Sequence, residues 1–286
     1  MKEKISLSRN RHDRDSAGLT YVYPVLSRRA KGVSIGINLN TNNACNWRCV
    51  YCQVPNLQRG AAPAIDLQLL EKELRDYLAY AEQNDFEFFD DDGLQWPVVD
   101  ICFSGNGEPT ASPQFSESVD LVISLLTHFK QNGKLKLVLI SNGSEVYKPE
   151  VQSALKKMAR NNGEIWFKLD AGAEADWKRI NQTHLTSERV LNHLRNAANC
   201  IPVRIQTCVF GLSEDKVDQE WLANYLAFMQ QIRDQNIAVL DVLLYSVARP
   251  PQLPEGALIE RVSPGELHTV ESGVRALGFS VQAFTG

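Results

Sequence analysis

The stretch GVSIGINLNTNNACNWRCVYC, residues 32–52, sets the reading of the whole chain. Its first eight residues, Gly32–Leu39, alternate β-branched side chains with small or polar ones, the pattern of a strand. A polar loop follows, and within it Cys45, Cys49 and Cys52 stand at the spacing C-x3-C-x2-C. Three soft thiolates so close in sequence can wrap one metal centre. The count is informative. A structural zinc site, or a closed iron–sulfur cluster, takes four protein ligands, whereas three leave one corner of a cubane for a substrate or cofactor.

Outward from this stretch, the strand–helix alternation continues. Asp66 caps a helix with the stripe Leu67, Leu70, Leu74 and Leu78. Strands are expected at Val98–Phe103, Leu135–Ile140, Ile165–Leu169, Val203–Phe210 and Val239–Tyr245. Helices are expected between them. One is capped by Ser112 with Pro113 in its first turn, another opens at Pro149, and others span 173–181, 187–199 and 215–234. A helix over 264–277 and a short strand at 279–284 close the chain. The acidic, aromatic segment 82–96 reads as an inserted loop. Six strand–helix units predict an α/β fold with parallel strands and right-handed crossovers. Six is fewer than a closed barrel's eight. The expected architecture is a partial (β/α)6 TIM-like barrel over 32–250, with a flat doubly wound sheet as the alternative. An N-terminal basic arm at 1–31 and a C-terminal helix–strand extension at 251–286 complete it. In either architecture the chemistry belongs at the C-terminal ends of the strands.

The chain has 286 residues and a net charge of −4, unevenly spread. Residues 1–31 hold eight Lys or Arg against three acids, a local +5 that leaves −9 for the rest. A basic arm on an acidic body suits a polyanionic partner or a solvated terminus. No apolar run reaches the roughly 20 residues of a membrane helix, and the charged start, Lys2-Glu3-Lys4, does not read as a signal peptide. A cytoplasmic protein without a membrane partner is expected. Cys102, Cys200 and Cys208 lie in apolar context and read as buried hydrophobes.

The cysteine spacing, with Tyr51 before the last cysteine and a position just after the first strand, resembles the radical S-adenosylmethionine (SAM) superfamily. The resemblance implies a [4Fe–4S] cluster on Cys45, Cys49 and Cys52, with SAM bound at the open iron. One electron then cleaves the sulfonium to a 5′-deoxyadenosyl radical that removes a hydrogen atom from substrate. Phe103-Ser104-Gly105-Asn106-Gly107-Glu108-Pro109-Thr110 resembles the superfamily's Gly-Gly-Glu motif, with Asn106 in place of the first glycine. It implies SAM-ammonium contacts from Gly105, Asn106, Gly107 and Glu108. By the same resemblance Ser141 and Asn142 end the third strand as contacts to the SAM carboxylate or ribose. Lys168 and Asp170 end the fourth strand, and Gln206 lies on the fifth, facing adenine or substrate. The run 245–250 ends the sixth.

Several strings are similar to the wyosine-synthase-related subgroup, which acts on tRNA: the Ser-Gly-Asn-Gly-Glu-Pro-Thr run, the Ser-Asn-Gly-Ser turn, and Lys168-Leu169-Asp170-Ala171 followed by Trp177-Lys178-Arg179-Ile180-Asn181. Arg28-Arg29-Ala30-Lys31 would suit phosphates. Those synthases carry a second cysteine-held cluster that this chain does not show, so an external one-electron donor, flavodoxin or ferredoxin, is implied. An activase that makes a glycyl radical on a partner protein, and a non-catalytic iron–sulfur protein, stand as alternatives.

Overall fold

The computed structural model describes Leu7, residues 17–212 and residues 218–285. Strand β1 (Val22–Ser27) pairs antiparallel with β2 (Gly32–Ile37), Val22 opposite Ile37 and Ser27 opposite Gly32. The two-residue strands β3 (Ala44–Cys45) and β4 (Gln58–Arg59) pair across the cysteine loop. Helix α1 (Leu67–Gln83) precedes a hairpin of β5 (Glu87–Phe89) and the start of β6 (Gln95–Phe103). There follow α2 (Phe115–His128), β7 (Lys136–Ser141), α3 (Pro149–Arg160), β8 (Gly163–Lys168), α4 (Glu174–Ile180), α5 (Ser187–Ala198) and β9 (Val203–Leu212). The chain continues through α6 (Gln219–Asp234), β10 (Asp241–Ser246), β11 (Ile259–Arg261), α7 (Pro264–Ala276) and β12 (Val281–Phe284). The main sheet runs β1-β2-β6-β7-β8-β9-β10-β12, parallel at every pairing except β1 with β2. It curls into a half-barrel, the partial TIM-like fold expected.

Four expectations need correction. First, the segment 1–31 is not all arm: residues 22–27 are an edge strand of the sheet. Glu73 on α1 fixes it there, accepting the backbone N–H groups of Thr20 and Tyr21, each at 2.8 Å. The basic residues Lys2, Lys4, Arg9, Arg11 and Arg14 lie outside the described residues. Second, segment 82–96 is a hairpin rather than a loop. Asp90 accepts the Trp96 indole at 2.9 Å and the backbone of Asp92 and Leu94, while Phe88 stacks on Tyr77. Third, β12 adds a seventh parallel strand beside β10, so the C-terminal segment extends the sheet. Fourth, helix α2 starts at Phe115, after a tight turn at 109–111 whose N-cap is Glu108, and not at Ser112.

Alternation along the strands sends one set of side chains outward against the helices and the other into the curl. The outer set joins the large apolar core, with Leu70, Leu74 and Leu78 of α1 and Val119, Val122 and Leu126 of α2 all buried. The inner set is different. Its lower tier is polar: Lys136 bridges Glu164 at 2.7 Å, Arg204 bridges Glu164 at 3.0 Å and also Asp241, and Ser34 donates to Asp100. Above it Cys102, Val138, Trp166 and Leu243 form a small apolar cluster of their own. The inside of the curl is thus a cavity with a polar floor, an apolar waist and, at the strand C-termini, the cysteine loop.

Candidate active site

The site is built by loops that follow β2, β6, β7 and β8, and asparagines lace them together. Asn38, just past β2, accepts the backbone N–H groups of Asn40 and Asn106, both at 3.1 Å. Asn106 donates to Asn43 at 2.7 Å. Asn142 donates to Asn46 at 2.8 Å, and Asn46 donates to Ser144 at 2.7 Å. Two glycines make this close approach feasible. Gly105 has φ +137°, and a Cβ there would meet the Asn38 carbonyl oxygen at 2.4 Å. A Cβ on Gly107 would meet the Ala44 carbonyl at 2.1 Å. The β6 loop therefore slides directly beneath the cysteine loop.

The cysteine loop is also tied from its far side. The N–H groups of Arg48 and Val50 donate to the carbonyls of Asn181 and Ile180, at 3.2 and 2.9 Å. The Asn181 amide donates to the Cys49 sulfur at 3.2 Å and to Asp170 at 2.9 Å. Arg48 pairs with Glu255 at 2.5 Å, and Gln252 N–H donates to the Cys52 carbonyl at 2.8 Å. Residues between the cysteines are thus held by the C-terminal end of α4 and by the segment after β10.

Cys45, Cys49 and Cys52 are half-buried, undisulfided, and line one end of a cavity of about 300 Å³. That volume is at the lower bound for a small-molecule pocket. Burial pushes the Cys45 thiol up to about 11 and the Cys49 thiol up to about 12. Metal binding must therefore expel protons from both. Among the described residues no three His, Cys, Asp or Glu side chains gather at single-ion spacing. The trio instead borders the cavity.

Tyr51, Gly105, Asn106, Gly107, Glu108, Asn142, Lys168 and Gln206 line the same cavity. Ser141 and Asp170 do not: both stand one layer back. The Asp170 carboxylate accepts from the Tyr51 hydroxyl, the Asn181 amide and the Cys208 N–H (3.1 Å), with the Lys168 ammonium 3.8 Å away. Ser141 donates to Glu108 at 2.7 Å. Glu108 itself is turned inward, accepting also from Thr110 O–H (2.6 Å) and Asn142 N–H (2.7 Å). Burial raises its pKa against those three donors. Its carboxylate joins the ends of β6 and β7. Lys168 lies 4.9 Å from the Tyr51 ring centroid and donates to Tyr245 at 3.3 Å.

Arg28 and Arg29, which the sequence offered only as phosphate contacts of a basic arm, also line the cavity, as do Ser34, Asp100 and Trp166, which no motif marked. Only the alternation of strands β2, β6 and β8 hints that the last three face inward. Two buried groups on the wall lack partners among the described residues, the Gln206 amide nitrogen and the Ser246 hydroxyl. A ligand would satisfy both. Three thiol donors at one end and unsatisfied polar groups along the wall fit a three-cysteine cluster with a polar cofactor beside it.

The comparisons with known proteins agree. The sequence is similar to a UPF0026 protein of Helicobacter pylori (strain ATCC 700392 / 26695), 27% identical over 245 residues, 83% of this chain and 70% of that one. The fold matches a radical SAM methyltransferase from Sphaerobacter thermophilus with TM-score 0.60 at 12% identity, over 92% of this chain and 69% of that one. It also matches SuiB of Streptococcus suis bound to SAM, with TM-score 0.53 at 12% identity, over 91% of this chain and 49% of that one. The model of the Radical SAM superfamily matches residues 39–224. That is well over half the chain, which therefore belongs to the Radical SAM superfamily and is a radical SAM enzyme whose cofactors are a [4Fe–4S] cluster and SAM.

Proposed function

We infer that the protein uses SAM to abstract a hydrogen atom from a substrate held in the half-barrel cavity, and that this substrate is a nucleic-acid base, with tRNA as its source. The observation that carries the reading is a cavity with the cysteine trio at one end and cationic and aromatic side chains beyond it. When bound, the cluster and SAM supply a one-electron cleavage that yields a 5′-deoxyadenosyl radical.

The chain's own residues do the rest. Cys45, Cys49 and Cys52 ligate the cluster. Asn181 places a hydrogen bond on one ligand sulfur, which tunes the cluster. The β6 loop at 105–107 and Asn142 offer polar edges for the amino-acid part of SAM, held in register by Glu108. Gln206 and Ser246 have free hydrogen-bonding capacity for the nucleoside part or substrate. Trp47, Val54 and Val247 keep water from the trio. Lys168, Arg28 and Arg29 give the cavity the positive charge that a nucleotide's phosphate requires, and the rings of Trp166 and Tyr245 offer stacking surface.

The reading includes an external one-electron donor, flavodoxin or ferredoxin, because Cys102, Cys200 and Cys208 are scattered along the sequence and make no second clustered set. No helix of the described residues is long and apolar enough to cross a membrane; a cytoplasmic location is part of the proposal. Anaerobically reconstituted protein, given SAM and a chemical reductant, should release 5′-deoxyadenosine, and unfractionated tRNA should accelerate the release. Release without acceleration by tRNA refutes the nucleic-acid reading; acceleration by a partner protein would point to an activase. No release at all would leave an iron–sulfur binding protein.

A further inference from the structure

The turn between β1 and β2 folds into the half-barrel rather than away from it. Ala30 packs on the Cys102, Val138, Trp166 and Leu243 cluster, and both Arg28 and Arg29 line the cavity. The Arg29 guanidinium lies over two rings at once, 4.6 Å from the Tyr245 centroid and 5.6 Å from that of Trp166. Stacking of this kind fixes the plane of the fork and leaves its N–H edges open for a second partner. No carboxylate pairs with Arg28 or Arg29 among the described residues. Arg28 is instead pressed below the ordinary guanidinium range by partial burial, then by Arg29, then by Arg261. Arg261 spends one N–H on the Ala248 carbonyl at 2.5 Å. Arg28 is exposed and Arg29 is half-buried, so it is at Arg29 that a like-charged pair without a carboxylate gains most from an anion.

We propose that Arg28 and Arg29 form a seat for a phosphate group of the substrate, at the end of the cavity away from the cysteines. Phosphate rather than carboxylate is indicated because two guanidiniums line the wall side by side in sequence, and a phosphate carries more charge and more acceptor oxygens than a carboxylate does. Trp166 and Tyr245 serve as the rigid backing that holds the Arg29 fork toward it. This assignment rests on the reading that the cavity takes a substrate. The phosphate can belong to a nucleotide within an RNA strand or to a free phosphorylated small molecule.

The test is equilibrium dialysis of the reconstituted holoenzyme against radiolabelled inorganic phosphate at fixed ionic strength, with iron content and SAM binding as checks on the fold. Saturable binding is expected. Arg29→Ala should weaken it by about tenfold or more, the usual cost of a charged hydrogen bond. Arg29→Lys should lie between, because charge remains but the fork is lost. Arg28→Ala, at an exposed side chain, carries the test should Arg29→Ala fail to fold. Acetate at equal concentration should displace little. A nucleoside 5′-monophosphate and a short single-stranded RNA serve as competitors: displacement by the monophosphate indicates a free small molecule, displacement by the RNA alone a strand, and either supports the seat. Phosphate that does not saturate, that binds the Arg28 and Arg29 variants as tightly as the parent, that acetate displaces equally, or that neither competitor displaces, overturns it. SAM cleavage is scored separately. Its loss with phosphate binding intact would sink the catalytic reading and leave the seat standing.

Discussion

Asp100 sits on the polar floor of the cavity, 3% exposed, and its one hydrogen-bond donor is the Ser34 hydroxyl. Burial pushes its carboxyl up to about 7, from an ordinary 3.8; Ser34 opposes the rise, Glu164 adds to it, and Lys136 opposes it. The folded state therefore binds a proton that the unfolded state has already lost between those limits. Its contribution to stability is fully present below pH 3.8 and is lost as pH rises through the folded value near 7. At 1.36 kcal/mol per unit, about three units set an upper bound of roughly 4 kcal/mol on that loss. Asp100→Asn keeps the shape and an oxygen for Ser34 but cannot ionise. Denaturant unfolding of both proteins, compared from about pH 4 to about pH 8, should show the variant gaining on the parent by a few kcal/mol as pH rises, with no further gain above neutrality. A stability difference that is flat across that range, or that grows in the parent's favour, would refute the reasoning.

Other consequences are as direct. Cys49→Ala should lose iron and sulfide on anaerobic reconstitution, whereas Cys200→Ala, a buried residue apart from the trio, should keep both. Asn181→Leu should retain the cluster but lower its reduction potential, since a hydrogen bond to a ligand sulfur favours the reduced state. A bond worth about 1 kcal/mol corresponds to roughly 40 mV for one electron, and a redox titration followed by electron paramagnetic resonance would detect it; an unchanged potential removes Asn181 from that role. Glu108→Ala should weaken SAM binding by about ten- to a hundredfold while the melting temperature falls. Removing the carboxylate leaves Thr110, Ser141 and the Asn142 N–H without their acceptor, and only this dual loss matches a brace beneath the SAM loops.

The parts of the site that could be read in the sequence are those whose chemistry is local. Cys45, Cys49 and Cys52 are held within eight residues, so their spacing alone limits what they can grip. The six parallel strands were equally legible, because each is buried on both faces and its apolar run is bounded by polar loops. Strand β1 was hidden for a physical reason. Its place in the sheet depends on Glu73, some fifty residues away, and Arg28 and Arg29 next to it look like a solvated arm until the curl of the sheet brings Trp166 and Tyr245 against Arg29. The β5–β6 hairpin was hidden by its own Asp90, which reads as loop chemistry yet serves as the hub that closes the turn. Asn181 was quoted within a string but given no task. Nothing in that string shows that the exit of β8 meets the cysteine loop; only the parallel order β6-β7-β8 does.

That same topology explains how carboxylates can sit so near three thiolates. Ligand sulfurs are anionic, and a bare carboxylate beside them would cost the cluster stability. Glu108 and Asp170 avoid this cost in different ways. Glu108 is fully buried and takes four donors from Thr110, Ser141 and Asn142, so its charge is spread over the ends of β6 and β7. Asp170 takes the Tyr51 hydroxyl, the Asn181 amide and the Cys208 N–H, with Lys168 beside it. Burial works against the Lys168 charge, but Asp170 above all, then Tyr245 and Cys49, keep it protonated beyond the ordinary range. A fixed cation thus lies between the carboxylate and the cavity, facing the sulfurs. Asp170 thus has a cation beside it, whereas Glu108 has only neutral donors and burial still raises its pKa. A sheet with this order delivers Lys168, Asn142 and the glycine loop to one rim because parallel strands all end on the same side, and that is why these residues and the cysteine trio share one cavity where β2, β6, β7 and β8 run out.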